Sequence, residues 1–367
     1  ASDVYKRQDW RSAAGGTGKT CNPFLKKKIL TMLTRVEVHN VTAFDELKAD
    51  FSSGLNVLIG ENGTGKTHLM KLLYSAYEVA GGKETKSIRQ MLEENFLPDS
   101  IGRLVRRARG RKSGSFEVFR TDEGVDRSLS VRLTSMDGVT TTSADWKSDS
   151  AGQAVYIPVK DMLANAPGFQ SLYNGHAIHF EGVYADIISK ALYPAARGRR
   201  NSIQKELLEL IESEMSGTVA TEGEEFYLRA TDGSGNLEFT LLSEGYRKLG
   251  LLFCLVQNEM LTKGSVLFWD EPEANLNPKM MEPVVKILYR LVDLGVQVFV
   301  TTHNSMLTSQ VKLWEGKKPT KYHLFKKGDA GGVDYSSYDR LEGIVANPIQ
   351  DAYEALLLRQ IEAELNL

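Results

Sequence analysis

The octapeptide Gly60-Glu61-Asn62-Gly63-Thr64-Gly65-Lys66-Thr67 constrains this chain more than any other feature. It fits G-x4-G-K-T and stands in the context that this pattern needs. The apolar run Leu55-Asn56-Val57-Leu58-Ile59 before it reads as a short strand. Thr67 to Ala80 after it reads as a helix with Leu69, Leu72, Leu73, Ala76 and Tyr77 on one face. Strand, glycine-rich turn and helix in that order present backbone N–H groups at a helix N-terminus, where anionic oxygens are favoured. Lys66 is then placed to reach the β- and γ-phosphates of a nucleotide, and the Thr67 hydroxyl to ligate Mg²⁺. A second string, Ala13-Ala14-Gly15-Gly16-Thr17-Gly18-Lys19-Thr20, fits a relaxed form of the pattern. No apolar strand precedes it and Asn22-Pro23 stops a helix after it, so it is a chance match.

Composition narrows the class. Of 367 residues 42% are hydrophobic and 25% charged, a globular balance that excludes a disordered or low-complexity chain. The net charge of -2 excludes a globally basic nucleic-acid binder but not a local basic patch. Two cysteines, Cys21 and Cys254, make no disulfide framework, no export signal stands out, and no run of about 18 apolar residues occurs. The expectation is a cytoplasmic protein without a membrane span. The run Asp3-Val4-Tyr5-Lys6-Arg7-Gln8 looks like a translated sequencing adapter followed by upstream read-through. Residues 1–31 are therefore expected to be artefactual or disordered, with Met32 as the natural start.

A second site of chemistry lies far along the chain. Val266-Leu267-Phe268-Trp269-Asp270-Glu271 is an apolar strand ending in two carboxylates. Open α/β sheets bind ligands at the carboxyl ends of their strands, so Asp270 is positioned for Mg²⁺ and Glu271 for the attacking water. The rival reading, an acidic helix N-cap, loses weight beside the P-loop. Val296 to Thr301 is a second mainly apolar run, as suits a parallel strand buried on both faces. Phe116–Arg120 with Leu129–Leu133, and Phe226–Ala230 with Leu237–Leu242, read as antiparallel pairs. Residues 161–216 are mainly helical in pattern, and Ile349–Leu365 reads as a final amphipathic helix.

The order of these motifs resembles an ABC-type ATPase. Leu242-Ser243-Glu244-Gly245-Tyr246 looks like its signature, Pro272 to Pro278 its D-loop, and His303 after the apolar strand its switch histidine. The opening Leu33–Asn40, with Phe44, is similar to the first strand of RecF, SMC and OLD-type ATPases. The Glu-Pro-Glu-Ala-Asn-Leu stretch is similar to compact bacterial AAA-type ATPases, several of them in phage-defence operons. The resemblance implies an α/β P-loop NTPase fold of ABC type: a mostly parallel core sheet, an antiparallel β subdomain and a helical insertion. It implies an ATPase lobe over 32–160, the insertion over 161–216, a second lobe over 217–345 and a C-terminal helix over 346–367. It also implies ATP and Mg²⁺ as ligands, bound by Gly60, Glu61, Asn62, Gly63, Thr64, Gly65, Lys66 and Thr67, with Thr67 and Asp270 on the metal. Glu271, His303 and Lys66 are the expected catalytic residues. Ser243 and Gly245 would reach ATP held by a second copy in a head-to-tail homodimer. One departure stands out: no Q-loop glutamine is present, since Gln153 begins its strand and Lys160 or Asp161 takes the expected place.

The implied function is a dimerising switch or motor in DNA maintenance or phage defence, acting with a separate effector protein. Two alternatives remain: a transporter's nucleotide-binding subunit, although the LSGGQ signature is missing, and an ATP-dependent scaffold with little turnover. DNA contact is assigned to Arg103, Arg106, Arg107, Arg109, Arg111 and Lys112, against the plain reading of a solvated basic face. His176, His179 and Glu181 lack zinc-helix spacing, and Cys254 reads as a small buried hydrophobe.

Overall fold

Four fully buried strands set the architecture. The computed structural model describes residues 31–81, 86–107, 113–148, 152–328, 331–345 and 347–365. The N-terminal extension (1–30), Arg109, Arg111 and Lys112 lie outside the described residues. In chain order the elements are β1 (Met32–Val41), β2 (Phe44–Asp50), β3 (Leu55–Gly60), α1 (Lys66–Glu78) and α2 (Ile88–Phe96). β4 (Ser113–Asp122), β5 (Val125–Thr134), β6 (Val139–Ala144) and β7 (Ala154–Ile157) follow, then α3 (Phe169–Asn174), α4 (Gly182–Ala191) and α5 (Ser202–Met215). Next come β8 (Gly217–Glu222), β9 (Glu225–Ala230), β10 (Asn236–Glu238), α6 (Glu244–Gln257) and β11 (Val266–Trp269). The chain closes with α7 (Met281–Leu294), β12 (Gln297–Thr302), α8 (Ser305–Lys312), β13 (Thr320–Lys327), β14 (Val333–Tyr338) and α9 (Pro348–Leu365).

The core sheet has the order β14-β13-β3-β12-β11-β7. All of its pairings are parallel except β13 with β14. Its central strands are buried on both faces, and side chains of period two feed two separate cores. Val57, Leu267, Trp269, Val298 and Val300 face one core with α4, α5, α6 and α7. Leu58, Phe268 and Phe299 face the other, which contains α1 and the antiparallel sheet β2-β1-β4-β5-β6. α1 is therefore buried between two sheets, and the turn that precedes it is fixed from both sides.

The sequence-level expectations meet the fold at most points. The mostly parallel sheet, the antiparallel lobe and the helical stretch after β7 are present. β2, α2, β6, β8, β13 and β14 are additional. The hairpin expected over 226–242 is shorter: β10 ends at Glu238, and a 3-10 turn, Phe239–Leu241, leads to α6. The last helix is not amphipathic in its setting. α9 is exposed along most of its length, Tyr353, Leu356, Leu357, Leu358 and Ile361 included, and it does not cover the sheet.

Candidate functional site

Parallel pairing puts the carboxyl ends of β3, β12 and β11 side by side. Thr302 pairs with Ile59, and Trp269 with Val300, so the residues that follow β3 and β11 flank the end of β12. The turn 61–65 bends on Gly63 and Gly65, whose φ angles of 83° and 85° lie in the left-handed region. At Gly65 a Cβ would also stand 2.7 Å from the Phe44 ring and 2.9 Å from Ala43. Phe44 and Ala43, in the turn between β1 and β2, therefore form one wall of the loop.

Lys66 is buried, and its Nζ donates to the carbonyls of Gly60 (2.6 Å) and Glu61 (2.8 Å). Burial lowers its pKa, opposed by the charges of Glu271, Asp270, Glu273 and Glu61. Thr64 closes the turn by donating to the Glu61 carbonyl at 2.8 Å. The lysine is thus tethered to the carbonyls of its own loop.

Strand parity explains the carboxylate cluster. Asp270 continues the face of Phe268 and Thr301 that of Phe299, so both side chains turn toward α1. Asp270 Oδ1 accepts from Thr301 Oγ1 (2.5 Å) and Thr67 Oγ1 (3.1 Å), and Oδ2 accepts from Tyr156 on β7 at 3.2 Å. Burial raises the Asp270 pKa and these three donors oppose the rise. Thr67 and Asp270 together offer the adjacent hard oxygens that Mg²⁺ prefers, at the end of the turn 61–65. The residues present fit a Mg–nucleotide.

Glu271 has φ 48°, unusual for a residue with a side chain, and its N–H donates to Thr301 Oγ1 at 2.9 Å. That turn carries its carboxylate out to His303, whose Nδ1 lies 3.0 Å from Oε1. The next acid, Glu273, is 5% exposed and bonds the end of β12 from the opposite face. Tyr156, Thr301, Thr302 and Glu273 were not singled out from the sequence. Parity along β11 and β12 was the available signal for the two threonines.

The signature segment sits beside the D-loop. Ser243 is the N-cap of α6 with no side-chain capping bond, and Gly245 packs against Leu276, which a Cβ would approach to 3.1 Å. Lys248 donates to the Ala274 carbonyl (2.6 Å) and Asn275 to Glu244 (2.9 Å). In the place expected for a Q-loop, Lys160 is exposed, while Asp161 is paired with Arg247 of α6 at 2.8 Å. Ser243 and Gly245 are therefore joined to the D-loop rather than to the P-loop of the same chain.

Of the three described basic residues of the basic run, Arg103 and Arg106 are committed elsewhere. Arg106 donates to the Ala43 and Gly331 carbonyls, which pins the turn against Gly65. Arg103 pairs with Asp99 at 2.8 Å. Arg107 is exposed. Glu181, between the two histidines and α4, is bonded to Lys71 at 2.5 Å, and no group of three metal-ligating side chains occurs among the described residues.

Residues 55–309 match the model of the AAA_21 family, described as "AAA domain, putative AbiEii toxin, Type IV TA system", and the chain belongs to that family. It is 28% identical over 92 residues to the DNA replication and repair protein RecF of Streptococcus suis, covering 25% of this chain and 24% of the relative. It is 30% identical over 102 residues to the chromosome partition protein Smc of Thermoplasma acidophilum, covering 28% and 8%. The chain thus spans about a quarter of the length of the RecF relatives it matches. An SmcHead bound to the C-winged helix domain of ScpA superposes with TM-score 0.56 at 13% identity, covering 84% of this chain and 98% of the other. The Smc head with a coiled coil and joint from Pyrococcus yayanosii gives 0.55 at 11%, covering 89% and 100%. The fold is that of an ABC-type P-loop ATPase of the RecF/SMC group.

Proposed function

We propose that this AAA_21 family member binds ATP with Mg²⁺ and hydrolyses it to ADP and phosphate, as a switch that closes and opens a homodimer. The observation that carries this reading is the convergence of Lys66, Thr67, Asp270, Glu271 and His303 at the ends of three adjacent parallel strands. The turn N–H groups of residues 60–67 and Lys66 hold the phosphates. Thr67 and Asp270 hold Mg²⁺, which when bound neutralises charge developing on the transferred phosphoryl group. Glu271 accepts a proton from the attacking water as its oxygen bonds the γ-phosphorus and the β–γ bridging P–O bond breaks. His303 fixes the Glu271 carboxylate from the outer side and faces the γ-phosphate.

Ser243 and Gly245 support the dimer. They lie at a helix start joined to the D-loop, with Ser243 exposed and Gly245 buried against Leu276, and the target proposed for them is ATP held by a second copy in head-to-tail arrangement. The RecF and Smc relatives support DNA maintenance as the setting. The family's description favours a defence or toxin–antitoxin setting with a separate effector. Within the run 103–112, Arg107 is the described basic residue left to touch DNA phosphate, with Arg109, Arg111 and Lys112 beside it in sequence.

The test is steady-state ATPase activity of the chain, with and without double-stranded DNA, beside Glu271→Gln. A DNA-stimulated rate that the variant abolishes is expected. A rate indifferent to DNA removes the nucleic-acid partner and keeps the ATPase. No turnover with or without DNA overturns the catalytic reading.

A further inference from the structure

Glu273 is the one buried acid at the site that this chemistry does not use. Its Oε1 accepts from Thr302 Oγ1 at 2.5 Å and from the His303 N–H at 3.3 Å. Thr302 Oγ1 itself accepts from the Asn304 N–H at 2.9 Å, so its single proton is directed to Glu273. One carboxylate therefore holds the start of the turn that carries His303. Its other oxygen, Oε2, is buried with no hydrogen-bond partner. Burying a carboxylate for structural support alone is costly, and a neutral acceptor would serve Thr302 as well.

Glu273 also lies in the D-loop, directly before the two residues, Ala274 and Asn275, that bond the signature helix. The Leu276 N–H donates to the Glu273 carbonyl at 3.0 Å, and the next carbonyl, Ala274, receives Lys248 from α6. Asn275, at φ 59°, donates to Glu244. A continuous set of bonds thus runs from α6 through residues 274–276 to Glu273, then to Thr302 and His303, and from His303 to Glu271. The hydrogen bonds of Lys248, Asn275, Thr302 and His303 each join separate segments, and the peptide backbone of 273–276 and 302–303 connects them.

We propose that Glu273 is a positioning residue that sets His303, and through it Glu271, according to where the D-loop and the signature helix stand. Movement of Ser243 or Gly245 against a second copy's nucleotide then reaches the water-activating carboxylate without passing through the P-loop. This inference rests on the proposed ATPase reading for its catalytic consequence, but its structural content can be tested without turnover.

The experiment pairs two readouts on Glu273→Ala and Glu273→Gln of the full chain. The first is amide hydrogen exchange of the peptide spanning 302–304. Alanine removes the acceptor, and exchange is expected to rise at least tenfold there while the peptide over 60–67 is unchanged. Glutamine keeps an acceptor oxygen and is expected to restore protection to within about threefold. The second is kinetics. Glu273→Ala is expected to lower kcat at least tenfold with KM for ATP within twofold, and adding His303→Ala is expected to cost no more than threefold further. Unchanged exchange at 302–304, or losses that multiply in the double variant, overturns the proposal. If wild type itself shows no turnover, the ATPase reading fails while the exchange result still decides the positioning role. Should the alanine variant not fold, Thr302→Val, which removes the donor side of the same bond, supplies both measurements.

Discussion

Replacing Thr301 by valine removes one hydroxyl and leaves the strand's shape intact. That hydroxyl donates to Asp270 at 2.5 Å and accepts from the Glu271 N–H at 2.9 Å, and the residue is fully buried. A hydrogen bond to a charged group contributes about 1.5–3 kcal/mol, and an orphaned buried N–H costs roughly 1–3 kcal/mol. Asp270 keeps Thr67 and Tyr156 as donors, and valine's extra methyl returns about 0.8 kcal/mol. The expected net loss is roughly 2–4 kcal/mol. Thr301→Ser keeps the hydroxyl and loses only a methyl, for about 1 kcal/mol. Urea unfolding at neutral pH, with m-values compared to confirm that the same surface unfolds, separates the two. ATPase turnover should follow the same order, because the Thr301 bond anchors the Glu271 backbone at its unusual φ. Valine within about 0.5 kcal/mol of wild type would refute the reasoning. So would serine as damaging as valine, since the hydroxyl would then not be the operative group.

Other expectations are independent of that bond. His323 is buried, accepts from Tyr335 through Nδ1 and donates to Asn56 through Nε2, and burial lowers its pKa to about 3. With the folded value below the unfolded one near 6.5, its contribution is full above pH 6.5 and is lost as pH falls toward 3, at about 1.4 kcal/mol per unit. Denaturation from pH 7.5 to 5 should show that slope in wild type and not in His323→Gln. Asp270 has the opposite sign: burial raises its pKa, so the ionised form costs stability as pH rises past the usual carboxylate range. Asp270→Asn in EDTA should be more stable than wild type at pH 7, converge with it near pH 4, and no longer be stabilised by Mg²⁺ with ATP. Burial pushes the Cys254 thiol up to about 12. In a Cys21→Ser background it should resist a disulfide reagent until denaturant is added. Gly65→Ala should destabilise the P-loop turn, since φ 85° is unfavourable to alanine and the methyl meets Phe44, and a loss of nucleotide affinity by fluorescence would register it.

The core of the fold was legible because its strands are buried on both faces. Val266–Trp269 is apolar on both sides, Val296–Thr301 is interrupted only by Gln297 and Thr301, and the P-loop names its own strand and helix. β13 was not legible for the opposite reason. Thr-Lys-Tyr-His-Leu-Phe-Lys-Lys carries four basic residues, yet it pairs in parallel with β3 and buries Tyr322, His323, Leu324 and Phe325. Its charges lie at its two ends, and its central histidine is neutral by burial, so composition concealed a strand that the sheet requires. β2 was hidden in the same way, as Phe44, Leu47 and Ala49 are its only apolar residues, each facing α1 and the lobe core.

The site divides along the same physical line. Residues that act through backbone geometry or a fixed spacing were readable: Gly63, Gly65, Lys66, Thr67, Asp270, Glu271. Those that act by orienting them were not, because their partners come from other strands. Thr301 and Thr302 are adjacent and chemically identical, yet strand alternation sends the first to Asp270 on the α1 face and the second to Glu273 on the other. Nothing in the residue type distinguishes the two roles; the distinction appears only when Trp269 is registered against Val300. The same registration explains why two acids two positions apart differ so strongly. Glu271 is turned outward by its positive φ to meet His303, while Glu273 is carried back under β12 and buried. A carboxylate read from sequence as part of a D-loop thereby bonds the turn that carries His303 and adjoins the residues bonded to α6. That link can be broken on one side at Thr302 and on the other at Lys248. Thr302→Val should free the 302–304 peptide directly. Lys248→Met should free the D-loop first and the peptide only in consequence, so equal exchange at 302–304 in both variants, with 274–276 protected in the second, would contradict the proposed direction of coupling.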